Sequence, residues 1–269
     1  MTGTSGPLAG RRIVVTRARD QAGALVAALA ALGAEVIAAP TIRIEPLADL
    51  EPLHTALADL ARYHWLVFTS QNTVRVVCDR LPEWGLDARA LTGVPVAAIG
   101  PATAEALAQR GVTASLVPER FVAEAVVEAI VRRGDVRGQR ILLPRALEAR
   151  DTLPDGLRAR GAVVDVIPVY QATREAGDGS ALGTEIQAGR IDAITFTASS
   201  TVRHFVELVG AEAATSGRYT AAVIGPITAA TARSLGIGVT VEAEPYTVPA
   251  LVEALVRHFG ETGKGKGER

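Results

Sequence analysis

One cysteine, Cys78, stands alone among 269 residues. A lone cysteine closes no internal disulfide and builds no thiolate metal site. It fits a reducing compartment. Neither sign of charge dominates. The net charge is −1, so no basic field points to nucleic acid. No apolar run reaches the length of a membrane span. The first ten residues lack the charged start and apolar core of a signal peptide. A soluble, cytoplasmic protein is expected.

Standard chemical motifs are missing too. The chain has no GxGxxG, no Walker sequence and no GxSxG elbow. The GKGKG run near the C-terminus is not a P-loop, because no strand precedes it and no Ser or Thr follows a Gly-Lys pair. It belongs to a Gly-, Lys- and Glu-rich tail, residues 261–269, that reads as disordered. The four histidines, His54, His64, His204 and His258, show no metal-ligand spacing and read as surface or helix residues. Cys78 lies in a helical stretch and reads as a packed thiol. Neither a metal nor a cofactor is expected.

What the chain does contain is a repeat. RIVVTRARDQAGALVAALAALGAEVIAAPTIRIEP from Arg12 matches RILLPRALEARDTLPDGLRARGAVVDVIPVYQATRE from Arg140. VFTSQNTVRVV from Val67 matches TFTASSTVRHF from Thr195. In these blocks Arg17 falls 128 residues before Arg145, and Phe68 the same distance before Phe196. AAIGPATAEALAQRGV from Ala97 matches AVIGPITAATARSLGI from Ala222 at an offset of 125. Three collinear blocks at so long a period mean a duplicated domain, not a solenoid. The length favours two domains, and the repeat alone places a cut near Gly134.

Within each copy short apolar runs alternate with helical periodicity. Residues 13–16, 35–39, 65–69, 94–99 and 115–117 read as strands, and 20–32, 102–110 and 122–132 as helices. Strands that are apolar almost throughout belong in a parallel sheet covered on both faces. The reading is α/β, with five strands per half in the flavodoxin-like form.

Ligands of such sheets bind outside the carboxyl ends of the strands. There the repeat puts Arg17 and Arg145, then Thr69, Ser70 and Asn72 opposite Thr197, Ser199, Ser200 and Thr201. It also puts Gly100 and Thr103 there, opposite Gly225 and Thr228. Each segment opens a helix. A hydroxyl there is ordinarily a helix cap, and an arginine is ordinarily a salt-bridge partner. The same helix starts also attract anions. Recurrence in both copies favours a site for a ligand with many carboxylates, without naming it. Tyr170, in PVYQATRE, follows a predicted strand and has Ile42 as its repeat partner. It is either a packed strand-end ring or a functional phenol.

These motifs, in this order from about Arg11 to about His258, resemble those of the uroporphyrinogen-III synthase family. The resemblance implies two α/β domains with a cleft between them, joined by two linker strands. Residues 1–39 with 172–269 would form one domain and 40–171 the other, with crossings near 40–46 and 168–174. It implies hydroxymethylbilane, a linear tetrapyrrole polycarboxylate of the heme pathway, as substrate. The reaction would expel the terminal hydroxyl as water and close the ring with ring D inverted. Tyr170 matches the tyrosine of a VYQT-like motif and would assist loss of that hydroxyl. Thr103 and Thr228 match the threonines of two IGxxTA motifs and would bind substrate. Ser70, Asn72, Thr197, Ser200 and Thr201 match two FTS-type helix starts, at one of which Ala198 departs from the usual Ser. Arg17 and Arg145 would meet carboxylates. A monomer is expected, with transient contact to the upstream hydroxymethylbilane synthase as its one partner. The competing reading is a non-catalytic module that senses or binds a tetrapyrrole or another polyanion.

Overall fold

The computed structural model describes residues 6–175 and 179–264. Among these residues the strands are β1 (Arg12–Val15), β2 (Glu35–Ala38), β3 (Ile42–Pro46), β4 (Trp65–Phe68), β5 (Val96–Ala98), β6 (Arg140–Ala146), β7 (Val163–Arg174), β8 (Ala193–Phe196), β9 (Thr220–Val223) and β10 (Val239–Glu242). They form two five-stranded sheets, β10-β9-β8-β1-β2 and β3-β7-β6-β4-β5. Pairing is parallel between β1 and both β2 and β8, along β8-β9-β10, and along β5-β4-β6-β7.

The strands form where both faces are apolar. In β4 every residue is buried. Leu66 and Phe68 pack into one apolar cluster, and Trp65 and Val67 into another on the opposite face. In β1, Ile13 and Val15 face one cluster and Val14 a second. This is the period-two alternation of a strand whose two sides are both covered. The covering helices carry one apolar stripe each. The helix Arg19–Ala31 buries Ala22, Leu25 and Leu29, one face at helical spacing. A fully buried leucine contributes about 2 kcal/mol. That helix and Thr152–Arg158 end the same way, at Gly33 (φ +91°) and Gly161 (φ +87°). The left-handed turn lets Ala34 N–H reach Leu29 O, and Ala162 N–H reach Leu157 O, at 3.2 Å each. These bonds satisfy carbonyls that the helix ends leave open.

The chain divides into two compact units. The first unit is Met1–Arg43 with Thr173–Arg269, and the second is Ile44–Ala172. A cut near Gly134 does not describe this division, because each sheet mixes the two repeat copies. The first unit takes β1 and β2 from the first copy and β8, β9 and β10 from the second. The second unit takes β4 and β5 from the first copy, and β6 and most of β7 from the second. Where copies meet, β1 pairs with β8 and β4 with β6. The order β2-β1-β8-β9-β10 is the flavodoxin-like order.

Two expectations need correction. Residues 115–117 form no strand, only a bridge between Ala97 and Leu116. Ser115 and Leu116 N–H groups both donate to the one Val96 carbonyl. Pro118 follows at once and carries no N–H to extend a ladder. The fifth strand of that sheet is instead β3, beside β7 at the other edge. Second, the tail expected to be disordered from Glu261 begins inside the helix Val248–Lys264. Leu251, Leu255 and Phe259 of that helix are buried, and an anchored helix extends one further turn at little cost. Residues 265–269 of that tail lie outside the described residues.

Candidate active site

The singled-out residues fall into two sets, one at the carboxyl edge of each sheet. In the second unit β4 runs into the helix Gln71–Arg80, and Ser70 is its N-cap. Ser70 Oγ accepts from Thr73 N–H at 3.1 Å, which satisfies one of the open donors of the first turn. The same oxygen lies 2.9 Å from Thr73 Oγ1 and 3.1 Å from Tyr170 Oη. Tyr170 comes from β7, which is separated from β4 by β6. Strands stand about 4.8 Å apart, so only a long side chain can cross β6 to reach the cap. The Tyr170 side chain is 6% exposed. A phenol this buried needs a hydrogen-bond partner, and Ser70 supplies it. Either hydroxyl can donate to the other.

Thr69 and Asn72 are half-buried beside this pair. The next turn follows β5, where Gly100 precedes the helix Pro101–Ala108. Thr103 is buried in that helix, and its N–H donates to Gly100 O at 3.1 Å. Arg145 lies near the end of β6 and is 9% exposed. Its Nη1 donates to Arg150 O at 2.9 Å and its Nη2 to Asp151 Oδ1 at 2.6 Å, while its Nε is buried with no hydrogen-bond partner. The guanidinium therefore braces the loop after β6, and a ligand carboxylate would have to share it with Asp151.

The first unit repeats the frame with different polar atoms. Thr16 Oγ1 donates to Thr195 O at 2.7 Å. Thr41 Oγ1 stands 3.2 Å from both Thr16 O and Thr201 O. Thr201 is buried, and its hydroxyl donates to Ala198 O at 2.7 Å. Ala198 is the N-cap residue of the helix Ser199–Val209 and offers no side-chain cap. Ser199 Oγ accepts from Thr231 Oγ1 at 2.8 Å, and Thr197 and Ser200 are half-buried. Gly225 precedes the helix Pro226–Ser234, in which Thr228 is buried. Arg17 is half-buried, and its Nε lies 3.4 Å from Gln21 Oε1. Burial lowers its pKa despite the nearby Asp20 carboxylate.

The remaining chemically notable side chains are placed elsewhere. Cys78 is buried in the helix Gln71–Arg80, and burial pushes its thiol up to about 11, so it stays protonated at neutral pH. His54 stacks on Trp84, His64 Nδ1 accepts from Arg140 N–H, and His204 meets Glu207. Among the described residues no three His, Cys, Asp or Glu side chains group as metal ligands, and no helix is long and apolar enough to cross a membrane.

One residue at the carboxyl edge of each sheet escaped the sequence reading. Phe121 lies against the backbone of Gly100, and Tyr246 against that of Gly225. The signal was in the chain. Phe121 and Tyr246 are separated by 125 residues, the offset of the two glycines. The flanking PERF and AEPY share too little for the eye to align them.

Comparison with known proteins bears on what this geometry does. Residues 23–253 match the model of the family described as uroporphyrinogen-III synthase HemD. A uroporphyrinogen-III synthase of Synechococcus elongatus is 34% identical over 264 residues, which is 95% of this chain and 98% of that one. The porphyrin biosynthesis protein HemD of Ruminiclostridium josui is 31% identical over 254 residues, 94% of this chain and 50% of that longer one. Among solved structures, a mutant uroporphyrinogen III synthase of Thermus thermophilus superposes with a TM-score of 0.63 at 20% identity, covering 94% of this chain and 100% of that one. The uroporphyrinogen-III synthetase of Helicobacter pylori gives 0.60 at 19% identity, covering 92% and 99%. At these identities the structural likeness speaks for the fold.

Proposed function

We infer that this chain acts as its family does: it belongs to the uroporphyrinogen-III synthases, cyclising lyases of heme biosynthesis. The observation that carries the reading is the 34% identity to a synthase along 95% of the chain. The comparisons lend the non-catalytic alternative no support.

The substrate in this reading is hydroxymethylbilane, with an acetate and a propionate on every pyrrole. Loss of its terminal hydroxyl as water leaves an azafulvene. Ring D attacks that carbon at its substituted position and forms a spiro intermediate, which fragments and recloses with ring D inverted. A proton leaves carbon as the macrocycle becomes aromatic in its pyrroles again, and one water is the only other product. Unassisted closure gives the type I isomer, so the protein must fix geometry as well as ease departure of the hydroxyl.

Tyr170 is the group proposed to donate a proton to the departing hydroxyl. The hydrogen bond between Tyr170 Oη and Ser70 Oγ supports this role, because it holds the phenol at the carboxyl edge in one orientation. The proton released at closure can restore the phenol. A positioned acid contributes about 10²–10⁴-fold. The open N–H groups at the helix starts after β4, β5, β8 and β9 are proposed to receive carboxylates, with Thr69, Asn72, Thr197 and Ser200 beside them. Thr103, Thr201 and Thr228, buried like Tyr170, are proposed to bind substrate at those turns. Arg17 and Arg145 are proposed as flanking cations. The reading includes a cytoplasmic location, a monomer, and transient delivery of the unstable bilane by hydroxymethylbilane synthase.

The test is direct. Purified protein is mixed with freshly made hydroxymethylbilane, the products are oxidised, and the uroporphyrin isomers are separated by chromatography. Type III should dominate. A type I product matching the protein-free control would overturn the reading.

A further inference from the structure

Gly100 and Gly225 are not glycines for conformational reasons. Their φ values, −167° and 170°, are extended backbone that any residue adopts. What crowds a side chain at each is an aromatic ring. A Cβ on Gly100 would stand 3.1 Å from Phe121 Cγ, and one on Gly225 would stand 3.0 Å from Tyr246 Cγ and Cδ1. Each unit thus presses one ring onto the turn that opens a helix after β5 or β9. Duplication has kept both members of the contact.

Both rings are only half-buried. A ring serving the core alone would gain by full burial. Each unit also has exposed apolar side chains at the carboxyl edge of its own sheet. Of the four exposed large hydrophobic residues among those described, two lie past the carboxyl ends of strands and a third past the parallel bridge at Leu116. Val117 is one residue past the bridge at Leu116, Leu147 directly follows β6, and Ile227 is the second residue of the helix after β9. The fourth, Val163, opens β7 at the opposite edge. An edge that bound only small anions would need helix starts and no exposed apolar surface. The carboxyl edge of each sheet has both. A bilane has the matching chemistry, flat apolar pyrroles carrying carboxylates.

We propose that Phe121 and Tyr246 are substrate-positioning residues, each packing its ring against one pyrrole of the bilane while the adjoining helix start takes that pyrrole's carboxylates. The assignment rests on the synthase reading above. Aromatic pairs beyond simple area burial correspond to a factor of about 2–10 in affinity. The rings act before and during closure by holding pyrroles in place, and they donate no proton.

The experiment compares Phe121→Leu, Tyr246→Leu and Tyr246→Phe with the natural chain by KM, kcat, isomer ratio and thermal melting. Each leucine variant should raise KM for hydroxymethylbilane by about 3–10-fold and increase the share of type I product. Tyr246→Phe, which keeps the ring, should match the natural chain. Leucine variants that melt normally and keep the natural KM and isomer ratio would reduce both rings to packing on their glycines. If Phe121→Leu does not fold, Phe121→Met fills a similar volume without a ring and makes the same comparison. A natural chain that gives no excess of type III would instead overturn the synthase reading, an outcome distinct from unaltered variants of an active enzyme.

Discussion

At the start of the helix after β4 the second unit has Ser70, and at the matching start after β8 the first unit has Ala198. Opposite Ser70 stands Tyr170, whose repeat partner is the buried Ile42. Both hydroxyls of the pair are therefore present in one unit and both are missing in the other. The surrounding frame has not diverged. Gly100 and Gly225, Thr103 and Thr228, and Phe121 and Tyr246 occupy equivalent places. Duplication left a matching carboxyl edge in each unit, and the joint departure from that match is a hydrogen-bonded pair of hydroxyls. That is the pattern expected if binding is shared by both units and proton transfer belongs to one.

The comparison breaks most severely at Tyr170. Tyr170→Phe keeps the ring and removes Oη, so type III formation should slow by about 100-fold or more, with the fold intact by circular dichroism. A variant turning over at the natural rate would leave closure geometry as the only catalytic device. Ser70→Ala should have a smaller effect on rate, about 10-fold, by leaving the phenol unanchored. It should also cost about 1 kcal/mol of stability through loss of the cap on Thr73 N–H. The reverse change in the other unit, Ala198→Ser, supplies a cap where none exists. It should add about 0.5–1 kcal/mol in urea unfolding and, because the new hydroxyl takes up a helix-start N–H proposed for substrate, act on KM and leave kcat unchanged. A large effect of Ala198→Ser on kcat would mean that the chemistry is not confined to the second unit.

The smallest expected effect lies at the amino edges, where the duplicated arginines Arg12 and Arg140 have acquired different partners. Arg12 meets Glu35 and Glu185, and Arg140 meets Asp165. Hydrogen bonds from Arg190 and Arg12 hold the Glu185 carboxyl at about 2, against an ordinary 4.5. A depressed carboxyl favours the fold above its unfolded pKa, and that contribution fades as pH falls from 4.5 toward about 2. Glu185→Gln should therefore be less stable than the natural chain at pH 6, and the difference should shrink on acidification through that window. The Arg12–Glu185–Arg190 cluster is partly exposed, and salt should weaken it further. A difference that grows on acidification would refute the assignment.

Much of the fold was legible because parallel strands covered on both faces are apolar at every position, as WLVF in β4 is. The repeat was legible because Arg, Gly and Pro recur at fixed offsets. Other features lie where local sequence carries little information. The fifth strand of the second sheet, β3, comes from a segment expected as a linker strand between domains, not as a member of a sheet. The other expected linker strand, near 168–174, is the end of one continuous strand that starts at Val163. The partners of Arg145, Arg150 O and Asp151, belong to a loop whose path no periodicity predicts. At the candidate site the sequence singled out the helix starts, but not that Tyr170 reaches across β6 to Ser70. That contact spans an intervening strand and joins residues 100 positions apart in the chain, beyond the reach of any local pattern.

The most direct test of a hydroxyl pair acting as one unit is a double-mutant cycle on kcat for type III formation, with Tyr170→Phe, Ser70→Ala and the two combined. If Ser70 works by holding Tyr170, removing it from the Tyr170→Phe enzyme should cost almost nothing more. If the double variant instead loses the full product of the two single effects, the residues act independently and the asymmetry between the units does not mark the site of proton transfer.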